Sequence, residues 1–156
     1  MSTYLLLKTL HVLGATVLLG TGAGIAFFML MAHRTRDPRL IAHTASIVVI
    51  ADFVFTATAV LLQPITGAAL ALMAGFPLFK GWVSLSLVLY IVTGACWLPV
   101  VWMQTRMRDL ARVAAAEDAP LPPEYHRLWH RWFVLGFPAF GAVLLIVWLM
   151  VAKPDF

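Results

Sequence analysis

Residues 8–33 read KTLHVLGATVLLGTGAGIAFFMLMAH, inside an apolar run from Leu5 to Met31. At about 1.5 Å per residue this run is long enough to cross the roughly 30 Å hydrocarbon core of a bilayer, and it predicts a transmembrane helix. With successive side chains about 100° apart, Lys8, His11, Ala15, Leu18, Gly22, Ala26 and Met29 share one face, and Thr16, Gly20 and Gly24 the opposite one. Small residues on both sides suit close backbone approach, and Gly20/Gly24 has the small-xxx-small spacing that packs helices in lipid. The helix is therefore expected to sit inside a bundle. An ionisable group within a span is costly unless it faces protein or water, which makes Lys8 and His11 the first functional candidates.

Composition carries this reading to the whole chain. Of 156 residues, 62% are hydrophobic and 12% charged, against about 25% charged in an average soluble domain. The class is an integral membrane protein. The net charge of +4 comes from basic residues in short loops, where they set orientation, so nucleic-acid binding is set aside. Cys96 is the one cysteine, which excludes an intramolecular disulfide and a cysteine-based metal knuckle. The first span is too long for a signal-peptide core and is expected to be retained.

Three further spans follow. Asp37 and Pro38 suit an N-cap and first helical position. The second helix passes Gln63-Pro64, where a kink is expected because Pro64 removes a backbone hydrogen bond. Gly75 to Gly81 reads as a turn. A third span begins at Trp82 and contains Pro99. Gln104 to Arg131 is a polar loop with helical flanks, and the fourth span is interrupted by Pro138. The expected architecture is all-α: one four-helix transmembrane bundle over residues 1–156, with spans near 4–32, 40–73, 82–104 and 130–152. Arg34, Arg36 and Arg39 fill the first loop; Arg106, Arg108, Arg112, Arg127 and Arg131 fill the third. The other side holds Lys8, Lys80 and Lys153. The basic loops are expected to face the cytoplasm, with both termini on the outer, periplasmic side.

On the second helix Asp52, Thr56, Ala59, Gln63 and Thr66 fall within about 40° of one line. Ser86, Tyr90, Thr93, Gly94 and Trp97 make a comparable stripe on the third. A pocket of Lys8, His11, Asp52, Thr56, Gln63 and Tyr90 in the outer half of the bundle is the candidate site. Alongside it stands the plainer reading that such groups only cross-tie helices, favoured for Thr56, Gln63, Ser86 and Thr93. His126 and His130 share a helix face, but two ligands at a membrane interface read as an amphipathic helix entry. The seven methionines read mostly as lipid-facing or packing residues; Met29, Met73 or Met150 opposite a histidine is the haem-iron alternative, and nothing in the spacing selects among them. No nucleophile elbow, phosphate-binding glycine loop or paired-carboxylate site is present, so hydrolase and nucleotide chemistry lack support and no catalytic residue is assigned.

Lys8-Thr9-Leu10-His11, Gly20-Thr21-Gly22, Ala51-Asp52, the Gln63-Pro64 to Gly67 region, Ala95 to Trp102, Arg106-Met107-Arg108 and Lys153-Pro154 together resemble a family of small bacterial integral membrane proteins known as a domain of unknown function. Through Lys8, Leu10, His11, Arg131-Trp132-Phe133, Pro138 and Lys153-Pro154 the chain is also distantly similar to HemJ-type protoporphyrinogen oxidases and CopD membrane domains. It departs from the HemJ pattern at Ser84 and Ser86, where those relatives carry a histidine and a lysine, and at Val134 and Leu135, where they carry polar residues. The resemblance implies a multi-pass protein of the bacterial inner membrane and a redox unit with haem b. His11 would then be the iron ligand or catalytic candidate. The leading expectation is a redox-linked protein whose His11 face binds haem b, a porphyrin or a quinone, with Asp52 and Tyr90 assisting proton transfer or ligand orientation. The alternatives are a non-enzymatic subunit that docks another membrane protein or a second copy on its small-residue faces, and a small-solute or proton pathway along the Asp52 stripe.

Overall fold

The computed structural model describes residues 2–155. Helix α1 is Thr3–Thr35, capped by Ser2, whose Oγ accepts from the Leu5 N–H at 3.3 Å. It stops at Arg36, which takes a left-handed conformation (φ 58°) and returns its N–H to the His33 carbonyl. Asp37 then caps α2 (Pro38–Met73) by accepting from the Arg39 N–H at 2.8 Å, with Pro38 in the first turn, where its missing N–H costs nothing. The end of α2 is a Schellman turn. Gly75 (φ 78°) occupies the left-handed position and the Phe76 N–H reaches back to the Ala71 carbonyl at 2.9 Å. Helix α3 is Gly81–Ala116 and α4 is Pro123–Ala152. All four helices are long and apolar enough to cross a membrane.

The polar segment after Gln104 is mostly helical. Its first part continues α3 to Ala116, its last part opens α4 at Pro123, and six residues join them. The 36 residues of α3 extend about 54 Å, well beyond a hydrocarbon core of about 30 Å. The helices alternate in direction, which gathers all eight arginines at one end of the bundle and all three lysines at the other. Arg39 and Asp118, one from each basic loop, pair at 3.0 Å. At the lysine end the Lys153 ammonium lies 5.6 Å from the centre of the Phe76 ring.

The apolar core lies in the arginine half. Met29, Ile41, Met107 and Tyr125, one from each helix, are fully buried there, packed with Ile25, Ala45, Val48, Ala111, Leu128 and Trp132. His33 stacks on Trp129 with ring centres 3.9 Å apart and planes 8° from parallel, and its Nδ1 lies 3.3 Å from the Tyr125 hydroxyl, joining α1 to α4. In the other half α2 packs on α1, and α3 packs on α4.

Helix α2 holds the departure that matters most. Residues Asp52–Thr56 form a π-helical turn, with the Ala57 N–H donating to the Asp52 carbonyl five residues back. The extra residue shifts the phase of everything after it by roughly the 100° of one position. The polar line read along this helix therefore becomes two lines. The part before the turn packs on both α3 and α1, and the part after it packs on α1. Asp52, Thr56, Ala59, Gln63 and Thr66 are all buried, but against different neighbours.

Candidate functional site

The polar residues singled out from sequence separate into two layers. In the outer layer, toward the lysine end, His11 is buried against α2 with its Nδ1 2.8 Å from the Thr66 hydroxyl. Thr66 spends its own proton on the Leu62 carbonyl at 2.8 Å, the usual back-bond of a helical threonine. With the Thr66 proton on Leu62, its oxygen is the acceptor and the His11 Nδ1–H the donor, a tautomer assigned from this hydrogen-bond pattern. Nε2 then carries the lone pair, and it takes no hydrogen bond from the described residues. Gln63 fixes the backbone beneath this ring by donating to the His11 carbonyl at 2.9 Å.

Two glycines make the contact possible. A Cβ at Gly14 would fall 2.3 Å from the Gln63 amide nitrogen, and one at Gly67 would fall 3.0 Å from the His11 Cε1. Each helix gives up a side chain where the other inserts one. The Gly20/Gly24 pair does not share this role: nothing lies within 4 Å of a Cβ built on Gly20, and at Gly24 the nearest atom is Phe28 of the same helix at 3.9 Å. Within the chain, the close approach falls at Gly14 and Gly67 rather than at Gly20/Gly24; any two small residues four apart look alike until their neighbours are known.

The inner layer is centred on Asp52, which is 3% exposed. The Trp97 indole N–H points to its Oδ1 at 3.4 Å. Gln104, with its amide turned to satisfy its neighbours, donates to Oδ2 at 2.6 Å and accepts from the Trp132 indole at 3.3 Å. This network ties α2 to α3 and α4. Thr56 lies beside the same carboxyl, with its buried hydroxyl outside hydrogen-bonding geometry. Gln104 and Trp132 were not among the residues expected from sequence. A buried acid on one helix requires donors on its neighbours, and a glutamine five residues beyond Pro99 was the signal available.

The single pocket expected from sequence is not formed. Along α2, Gln63 lies about 16 Å and Thr66 about 21 Å beyond Asp52, so the stripe spans much of the membrane. Asp52 meets α3 and α4, whereas Gln63 and Thr66 meet α1. Lys8 is exposed and makes no ion pair among the described residues. Tyr90 sits between the layers and donates its hydroxyl to the Val60 carbonyl. That carbonyl is the one Pro64, four residues on, leaves without a helical partner. A side chain from the neighbouring helix completes the broken ladder, as membrane interiors require. Met29 belongs to the arginine-half core, 18 residues along α1 from His11, or about 27 Å. His126 meets His33 edge to face, and no three His, Cys, Asp or Glu side chains come together among the described residues.

Four apolar helices of spanning length, polar groups paired inside them and charge confined to the ends define a polytopic membrane protein. The chain matches the predicted integral membrane protein family DUF2269 over residues 5–154 and belongs to that family. No curated protein and no solved structure matches it.

Proposed function

We propose that this is a redox-linked membrane protein that binds a membrane-soluble ligand of the porphyrin or quinone class at His11. One observation carries the reading: Thr66 holds His11 by Nδ1 and leaves Nε2 as the free basic nitrogen. Ligating histidines are oriented in this way, with one ring nitrogen donating to a fixed oxygen so that the other faces the ligand. That nitrogen would suit haem b as an iron ligand and would equally suit a hydrogen bond from a quinol hydroxyl. Such a group would supply electron transfer. The chain supplies the rest. Gln63 and Gly67 hold the ring in place, Thr66 fixes the tautomer, and Nε2 would be the atom that holds the ligand's metal or accepts its proton. Asp52 and Tyr90 support this layer at a distance, by tying α2 to the helices behind it.

We further infer that the arginine end faces the cytoplasm of a bacterial inner membrane, with both termini outside, because eight arginines lie on one side against three lysines on the other. His11 then lies in the outer leaflet.

The test is an absorption spectrum of detergent-purified protein, air-oxidised and dithionite-reduced, with lipid extraction for bound quinone. His11→Ala and Thr66→Val are compared with the wild type. A Soret band that shifts on reduction, or a co-purifying quinone, lost in His11→Ala and weakened in Thr66→Val, is the expected result. A folded wild type that holds neither, even when supplied with haem precursor or quinone, contradicts the proposal. A second reading, a subunit that docks a membrane partner, is favoured by the open surface at Gly20. A stoichiometric partner lost on Gly20→Leu, with no chromophore or quinone present, would select it.

A further inference from the structure

The arginine end carries a groove that the His11 reading does not use. It lies between α3 and α4 and measures about 370 Å³. Pro99, Val134 and Leu135 line its apolar length, the Trp102 indole stands beside it, and His130 and Arg131 lie at its polar end. Trp102 is 61% exposed and Val134 51%, so the groove opens sideways from the bundle.

Charge identifies its occupant. The acids of this end are largely committed: Asp118 to Arg39, Asp109 to Arg108, Glu124 to both nitrogens of Arg106 at 2.9 and 3.2 Å, and Asp37 to the start of α2. Arg131, and Arg127 one turn before it, make no ion pair among the described residues. Arg131 also sits where α4 passes from its polar first turns, Glu124 to His130, into the apolar run from Trp132. Unpaired guanidinium, exposed indole and apolar channel thus follow one another at the depth of the lipid headgroups. A basic pocket between helices at this depth matches an anionic headgroup with its acyl chain.

We propose that the α3/α4 groove is a binding site for an anionic phospholipid, its phosphate at Arg131 and His130 and one acyl chain along Pro99, Val134 and Leu135. The site discriminates by charge at its mouth and by shape along its length. It is independent of His11.

Purified protein is titrated with phosphatidylglycerol or with phosphatidylcholine of the same chains, and lipid retention is read by native mass spectrometry and the thermal midpoint by tryptophan fluorescence. The wild type is expected to prefer phosphatidylglycerol about fivefold, the selectivity one basic side chain provides at a bilayer surface. Arg131→Gln should bring the two lipids to parity, and Arg131→Lys should keep most of the preference. Val134→Trp, which fills the groove from an exposed position, should lower retention of both. Arg34→Gln, a charge change at the same end outside the groove, should leave the preference intact. Equal retention of the two lipids by the wild type overturns the proposal, as does an equal loss in Arg34→Gln and Arg131→Gln, the signature of diffuse surface charge. Stabilisation by inorganic phosphate equal to that by the lipid also overturns it, since it would mark a soluble-anion site.

Discussion

At the arginine end four fully buried apolar side chains, one from each helix, lock the bundle together. At the lysine end the same four helices meet as two pairs, α1 on α2 and α3 on α4, and the Tyr90 hydroxyl on Val60 bridges from one pair to the other. The difference follows from the surroundings. The helices overrun the hydrocarbon core toward the arginine end, where burying Met107 or Ala111 removes apolar surface from water. Inside lipid that drive disappears, and close glycine contacts and interhelical hydrogen bonds take its place. A half held by a few specific contacts opens at lower cost, and the proposed ligand site falls there. His11 lies in that half.

Substitutions that discriminate between the halves test this contrast. The largest effect is expected for Met107→Ala, which opens a cavity in the arginine-half core and should cost about 2–5 kcal/mol in reversible unfolding in mixed micelles. Ile65→Ala, on a side chain 69% exposed on the membrane face of α2, should change stability by about 0.5 kcal/mol or less. Equal losses would mean that one uniform core spans the bundle.

Next comes Gly14→Ala. Its methyl displaces the Gln63 amide from the His11 carbonyl, at a cost of about 1–3 kcal/mol for the group left unpaired. Gly20→Ala, with open space around it, should lie within about 0.5 kcal/mol of wild type. The reverse order would show that α1 packs through its other face.

A smaller effect is expected for Tyr90→Phe, about 0.6 kcal/mol as for other hydrogen bonds between membrane helices. The informative version is a double-mutant cycle with Pro64→Ala. Alanine restores the N–H that Val60 lacks, so Tyr90→Phe should cost less in that background. An unchanged cost would detach Tyr90 from the proline. The smallest effect belongs to Arg39→Ala, whose partner Asp118 is 89% exposed at the side chain. Its removal should cost no more than about 0.5 kcal/mol, diminishing further with salt.

The contrast also marks where sequence stopped being informative. Apolar length, the Asp37-Pro38 start and the Gly75 turn are local signals, and each appears in the structure at those residues; the second arginine loop does not, because Arg106, Arg108 and Arg112 lie on α3 and Arg127 and Arg131 on α4. Asp52, Thr56, Gln63 and His11 were rightly read as buried. The axial distance from Asp52 to Gln63 follows from helix rise alone, but which neighbouring helix each residue faces was not legible, because it depends on the π-turn at Asp52–Thr56. Helical periodicity assumes a constant advance per residue, and a single inserted residue turns one polar face into two. Tyr90 was noticed for its polarity, but its partner follows from a different rule. Pro64 identifies Val60 as the carbonyl in need, and only the structure says which helix supplies the hydroxyl. Lys8, one turn before His11, carried the same polar signal and is nevertheless exposed.

Thr66 fixes the His11 ring so that Nε2 is free. Nitrogen-15 NMR of histidine-labelled protein in lipid, with His11 assigned by its loss in His11→Gln, measures this directly. Expected are a neutral ring protonated at Nδ1, an unprotonated Nε2, and a shift larger at Nε2 than at Nδ1 when haem or a quinol is added. A ring protonated at Nε2, or an Nε2 resonance that ignores both additions, would contradict it and leave His11 as a helix tie only.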